Sequence, residues 1–244
     1  MKRCPALHFL LILLSSLLFS FCGQPDKMKV LVFSKTAGYR HASIPNGIAA
    51  IQQIGKEQGF TVVATEDATH FRDEQLKQYA AVIFLSTTGD VLDSAQEAAF
   101  KSYITGGGGF VGIHSATDTE YEWPWFGQLV GAYFESHPET QKATLHVNNA
   151  DHPSTKDLPP SWTRTDEWYN FKNLNPRINV LLTIDEGSYK GGKNGSHHPM
   201  AWYQEIEGGR AFYTALGHTE ESYKEPLFLK HLTGGILYAI NQKQ

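Results

Sequence analysis

Cysteine is nearly absent. The 244 residues hold two, Cys4 and Cys22, both at the N-terminal end. The body of the chain therefore has no thiol to act as nucleophile or metal ligand, and a chain beginning at Cys22 can form no internal disulfide. A basic excess is also missing: the net charge is −4, so nucleic-acid binding has no electrostatic support. Neither an internal repeat nor a low-complexity stretch is present. Two familiar motifs are lacking as well. Gly106–Gly109 precedes an apolar strand instead of following it, so it is no dinucleotide fingerprint and no nucleotide cofactor is expected. Gly112-Ile113-His114-Ser115-Ala116 sits where a nucleophile elbow would be, yet its central residue is histidine.

What is present begins with a leader. Lys2 and Arg3 precede an apolar run from Leu7 to Phe21, the charged and hydrophobic regions of an export signal. The run is too short and too early to be a good spanning helix. It ends at Cys22, and residues 23–28 read as a polar tether. This pattern resembles a bacterial lipoprotein signal. The resemblance implies a signal peptide over 1–22, lipidation of Cys22, and an exported protein held at the cell envelope by its lipid. An uncleaved N-terminal anchor is the alternative.

Residues 29–241 read as one domain. Lys29–Ser34, Phe60–Thr65, Ala81–Ser86 and Phe110–Ile113 are apolar runs of strand length. Helical patterns separate them: Pro45 opens one with Ile48, Ile51 and Ile54, and Asp93–Thr105 carries Ala95, Ala98, Ala99 and Ile104 on its inner side. Strands alternating with helices at this spacing mean βαβ units and a parallel sheet with right-handed crossovers. The expected fold class is α/β: a doubly wound, mostly parallel, flavodoxin-like sheet with a β-rich elaboration in its second half. That half holds Lys142–Val147, Trp162–Phe171, Ile178–Ile184 and a hairpin around Glu207-Gly208-Gly209. A C-terminal helix over Pro226–Ile240 contains the awkward pair Gly234-Gly235.

Histidine is where chemistry concentrates. His41 follows the first strand, His114 the fourth, and His218 the strand ending near Thr214. Open parallel sheets place ligands at the carboxyl ends of their strands, so these three imidazoles are expected at one edge. Glu167, beside Asp166, supplies a carboxylate, although the pair also fits a solvated turn. Three imidazoles and a carboxylate suit zinc, iron or nickel, and without metal they suit general acid–base work. His198, beside Pro199 and Trp202, is a candidate substrate contact, and His197 faces solvent. His70, His146 and His152 read as surface or capping residues, and His231 as a core histidine bonded to a backbone carbonyl. The aromatic share of 12% suits either a core or sugar-stacking rings, Trp168 and Trp202 among them.

Taken together, these segments resemble the ThuA-like family of trehalose utilisation, similar in fold to class I glutamine amidotransferases. The matching pieces are Gly38-Tyr39-Arg40-His41, Gly108–Ala116, Glu120–Phe126, Gly131–Phe134 with His137-Pro138, Asp166–Tyr169, His198–Trp202, Gly217-His218-Thr219 and Phe228–Tyr238. The resemblance implies an amidotransferase-type scaffold with His114 at the cysteine position, hence no glutaminase activity. It implies a role in carbohydrate metabolism, particularly of keto-sugar derivatives of disaccharides and glycosides. On this reading His41, His114, Glu167 and His218 are catalytic, with the three histidines as ligands of a divalent metal. Arg40, Ser115, Trp168, His198 and Trp202 contact a small carbohydrate. The expected activity is proton abstraction from a 3-keto-glycoside leading to elimination, isomerisation or hydrolysis. The rival expectation is a noncatalytic carbohydrate-binding lipoprotein.

Overall fold

The computed structural model describes residues 28–240. The leader, Cys22 and the tether up to residue 27 lie outside the described residues. No helix among the described residues is long and apolar enough to cross a membrane.

The first half follows the βα rhythm. Strand β1 (Lys29–Phe33) leads to α1 (Ile44–Gln58), which has proline in its first turn and ends at Gly59 with φ +85°. Then come β2 (Thr61–Thr65), the short α2 (Asp73–Leu76), β3 (Ala81–Leu85), α3 (Ser94–Thr105) and β4 (Gly109–Ile113). Asp93 starts α3 by accepting hydrogen bonds from the N–H groups of Ala95 and Gln96, in a capping box with Gln96. Of the residues expected on the inner face of α3, Ile104 is buried and Ala99 packs against the core, whereas Ala95 and Ala98 are exposed and Phe100 takes the inner face instead.

The second half contains α4 (Pro124–Val130), β5 (Tyr133–Ser136), β6 (Gln141–Val147), β7 (Ser161–Asp166), β8 (Asn170–Lys172), β9 (Asn179–Ile184), β10 (Pro199–Ile206), β11 (Gly209–Thr214) and α5 (Pro226–Ala239). One nine-stranded sheet runs β2-β1-β3-β4-β11-β10-β9-β6-β7, and β5 and β8 pair separately. The first five of these strands are mutually parallel, in the flavodoxin order. Every later pairing is antiparallel, so only β10 and β6 oppose the common direction. The β-rich second half is thus an extension of the parallel sheet rather than a layer set upon it. The result is a mixed α/β fold with a large, mostly parallel sheet and few helices.

A tight turn makes the join. Glu207 (φ +48°) and Gly208 (φ +99°) link β10 to β11, and two positive φ values are what a two-residue hairpin matched to strand twist requires. Strand β11 then lies beside β4, with Thr214 opposite Ile113. In the parallel half Phe84 stacks on Phe100 of α3 at 5.4 Å, whereas the next residue, Leu85, packs against Gly47 of α1. Successive strand residues point to opposite faces.

Helix α5 explains its two glycines. A Cβ on Gly234 would strike the Pro153 carbonyl, and one on Gly235 the Phe212 ring. Beneath this contact His231 is fully buried, with Nδ1 3.0 Å from the Ser154 carbonyl and Nε2 3.1 Å from Thr214 Oγ1. His152 departs from expectation, being buried rather than superficial. Its ring stacks on Tyr203 at 4.5 Å, and its Nδ1 accepts the Ser154 N–H.

Replacing Gly234 by alanine should destabilise the protein by about 1–3 kcal/mol through overpacking, although helix propensity alone favours alanine by about 1 kcal/mol. Urea denaturation reads the sign. Burial holds His231 down to about 3 and His152 down to about 4. The unfolded chain therefore takes up protons first as the pH drops below about 6.5. Stability present above that pH should fall between pH 6.5 and 4.5, by up to about 1.4 kcal/mol per pH unit for each histidine. Denaturation at several pH values should give a shallower decline for His231→Gln.

Candidate functional site

The site is assembled from strand ends. His41 lies in the loop after β1, His114 directly after β4, and His218 in the loop after β11. The chain turns sharply at His114, whose φ of +52° is a left-handed conformation that L-residues occupy at a cost of about 1–2 kcal/mol. This is the strand-to-helix turn of a nucleophile elbow with an imidazole at its tip. Neighbours hold it there. The His114 carbonyl accepts the Tyr213 hydroxyl at 2.7 Å, and Nδ1 faces the Ala215 carbonyl at 2.9 Å.

Facing a carbonyl, Nδ1 must carry the ring proton, so in the neutral ring Nε2 presents a lone pair. Around that atom lie His41 Nε2 at 3.2 Å, His218 Nδ1 at 3.2 Å and Glu167 Oε2 at 3.4 Å. Glu167 Oε2 is also 3.2 Å from His218 Nδ1. All four atoms fall within 4.8 Å of one another, and only His218 is more than slightly exposed.

Glu167 reaches this point from the far edge of the sheet. Its neighbour Asp166, wholly buried at the end of β7, pairs with Arg164 at 2.7 Å. Asp166 also accepts the backbone N–H groups of Gly217 at 2.9 Å and His218 at 3.2 Å. Arg164 donates onward to Glu225 and Ser222, at 2.8 Å each. The solvated-turn reading of Asp166-Glu167 is therefore corrected: both carboxylates are buried and engaged.

The electrostatics are strongly coupled. Burial pushes the Glu167 carboxyl up, but hydrogen bonds and charge from His114 and His218 outweigh it and hold the group well below the usual carboxylate range. Burial pushes His218 down, and Glu167 more than reverses this, raising it. Burial, with His114 and His218 adding to it, lowers His41 to about 3. Near neutral pH the cluster thus contains an anionic Glu167 beside a neutral His41.

Such a set fits a divalent cation. Bonds of about 2.0–2.1 Å in a tetrahedral site put neighbouring ligand atoms about 3.4 Å apart, close to the separations found here. The outward nitrogens of His114 and His41 face the Ala215 carbonyl and, at 3.4 Å, Ser115 Oγ. Outer partners of this kind orient imidazole ligands. The buried His/Glu group can hold a metal.

Above the cluster opens a cleft of about 480 Å³, with His41, Glu167 and His218 on its floor and Tyr39, Phe134 and Tyr169 as aromatic walls. Sequence reasoning missed four of its polar residues, His137, Asp118, Glu139 and Thr140. His137 Nδ1 is 3.0 Å from Glu167 Oε1, the oxygen turned away from the cluster. Asp118 lies on the wall, accepting the Tyr121 hydroxyl at 2.7 Å, and burial pushes its carboxyl up. The signals were there: His137-Pro138 in a loop, and an acidic, aromatic stretch after the fourth strand.

Five residues expected to contact substrate do not border this cleft. Arg40 pairs with Glu66 at 2.6 Å on the surface. Ser115 is buried behind His41. Trp168 and Trp202 are core residues whose indole N–H groups donate to the Gln141 and Val130 carbonyls, at 2.8 Å each. His198 is wholly buried, bridging Glu186 at 2.8 Å and the Tyr169 carbonyl at 2.7 Å. It braces the wall of the cleft from behind.

A large, mostly parallel, flavodoxin-like sheet with a histidine in the turn after its fourth strand defines the class of α/β protein to which the chain belongs. The chain belongs to the ThuA family, described as trehalose utilisation, whose profile matches residues 29–239. No curated protein matches it significantly. Among solved structures it is similar to a candidate ThuA-like protein from Bacteroides uniformis, at 23% identity and TM-score 0.76, covering 91% of this chain and 95% of that one. A candidate ThuA-like protein from Parabacteroides merdae is similar at 20% identity and TM-score 0.75, covering 89% and 91%. A cytoplasmic protein from Salmonella typhimurium follows at 11% identity and TM-score 0.62, covering 87% and 99%. Identities this low carry the fold alone.

Titrating chelator-treated protein with Zn²⁺ or Co²⁺ should give one bound ion per chain. A hundredfold excess over Kd should add about 2.7 kcal/mol of stability. His114→Ala should lose both effects. A melting temperature indifferent to every divalent ion would refute the site.

Proposed function

We propose that this protein is a metal-assisted enzyme of carbohydrate metabolism that abstracts a proton beside the keto group of an oxidised glycoside. The observation that carries the proposal is the His41, His114, His218 and Glu167 cluster on the floor of a cleft whose walls are aromatic. Elimination is the outcome we favour, with isomerisation and hydrolysis as variants on the same site.

A keto group acidifies the proton on the adjacent ring carbon, so a positioned base can remove it. A divalent ion, such as zinc, held by the four cluster residues would stabilise negative charge developing on the keto oxygen. His137 is placed to take the proton: it lies in the cleft, and Glu167 Oε1 orients its ring from 3.0 Å. Glu167 thus serves the cluster with one oxygen and the base with the other. Asp118, on the wall of the cleft, is the group we assign to protonate the departing oxygen. Tyr39 and Phe134 offer ring faces to the apolar face of a sugar. We further propose that the leader exports the protein and that lipid on Cys22 holds it at the envelope, which mass spectrometry of the mature N-terminus would test.

The enzyme should turn over 3-keto-glucosides in a metal-dependent way. His137→Ala should lower kcat by about 10²–10⁴-fold while the metal stays bound, and His114→Ala should abolish both turnover and metal. Absence of turnover with any divalent metal would sink the proposal. Binding of unoxidised sugar that survives loss of the histidines would point to a sugar-binding protein instead.

A further inference from the structure

Buried tyrosines in this protein mostly spend their hydroxyls. Tyr213 donates to the His114 carbonyl, Tyr133 to the carbonyls of Glu120 and Trp123, and Tyr79 and Tyr189 meet the rings of His70 and His198. Tyr223 has no partner, but its oxygen is sealed from solvent. Tyr169 differs from all of these. It is only 3% exposed, and its hydroxyl makes no hydrogen bond among the described residues. Yet the sealed, unpartnered hydroxyls are those of Ser34, Ser86 and Tyr223, so the Tyr169 oxygen is one that solvent reaches. It opens on the cleft that Tyr169 lines.

The ring is held in place. Its centroid lies 4.4 Å from that of His114 and 4.4 Å from that of Phe134, and its backbone carbonyl accepts from His198 Nε2 at 2.7 Å. Glu167 and Tyr169 border the cleft while Trp168, between them, enters the core, as side chains alternate along extended backbone. A buried ring thus carries an unspent donor into the space beside the histidine cluster.

We propose that Tyr169 is a catalytic residue whose hydroxyl donates a hydrogen bond to the keto oxygen as that oxygen takes on negative charge. This rests on reading the cleft as the place where a proton is taken from beside a keto group. His137 removes the proton. The C–H electron pair becomes the carbon–carbon double bond of the enolate, and the carbonyl π pair moves onto oxygen. The phenol keeps its own proton and lends only the hydrogen bond. The cleft needs such a donor. Asp118, Glu139 and Glu167 border it and no lysine or arginine does, so beyond the metal an oxyanion would otherwise meet acidic groups. Tyr39 and Thr140 also bring hydroxyls, but both residues are exposed, and a donor fixed beforehand is the kind that stabilises developing charge.

Tyr169→Phe removes one oxygen and keeps the ring, so melting temperature and bound metal should be unchanged. With a 3-keto-glucoside its kcat should fall about 10²–10³-fold, the usual loss for one oxyanion donor, while KM moves less than about threefold. Acetohydroxamate, a planar oxygen anion resembling an enolate, reads the donor without turnover. Calorimetry on the metal-loaded proteins should find it bound about 10–100-fold more weakly by Tyr169→Phe, the worth of one hydrogen bond to a charged oxygen. An unchanged kcat or an unchanged hydroxamate affinity would overturn the assignment. Loss of metal from Tyr169→Phe would do so too, because the phenol would then be a ligand. If the wild type turns over no oxidised glycoside but hydroxamate binding still depends on the hydroxyl, the enzymatic reading fails and the donor stands. Turnover without any dependence on the hydroxyl leaves the reverse.

Discussion

One buried carboxylate holds the site together. Asp166 ends an edge strand that three others separate from β11, yet it accepts the backbone N–H groups of Gly217 and His218. Arg164, itself 6% exposed, neutralises it. A charge so deeply buried is tolerated only when paired and hydrogen-bonded, and here each partner is a structural group that the site needs in place. The antiparallel half thereby folds back on the rim of the parallel half. The next residue, Glu167, is delivered among histidines that come from the other side of the sheet.

His114 is the second fixed point. Its left-handed backbone costs energy, which the Tyr213 and Ala215 contacts offset. The turn that elsewhere exposes a nucleophile here buries an imidazole and aims its free lone pair inward. With no thiol in the body of the chain, the turn presents no cysteine nucleophile, and its histidine lies in a buried His/Glu group that can hold a metal. Coupling follows from proximity. His114 and His218 lower the affinity of His41 for protons, Glu167 pulls the other way, and a divalent cation would resolve both tendencies.

Much of this was legible beforehand. The parallel half could be read because wholly buried strands show as unbroken apolar runs and glycines end the helices between them. The rule that ligands gather at strand ends was enough to put His41, His114 and His218 on one rim. It failed for residues whose role depends on the direction of a side chain. Trp168 follows Glu167 immediately, yet one faces the core and the other the cluster. His198 and Trp202 look like site residues in sequence, but their polar atoms are spent on buried carbonyls. His137 lacked a strand to vouch for it, and only the packing of its loop against Glu167 brings it into the cleft.

Sequence alone determined the order of elements, the absence of thiol chemistry, and the family, because apolar periodicity, composition and ordered motifs are local properties of the chain. Tertiary structure decided which half of the sheet is antiparallel and which carboxylate of Asp166-Glu167 faces the histidines. It also decided which aromatics line the cleft. These depend on pairings between segments tens of residues apart, and a strand turned by one residue exchanges its two faces.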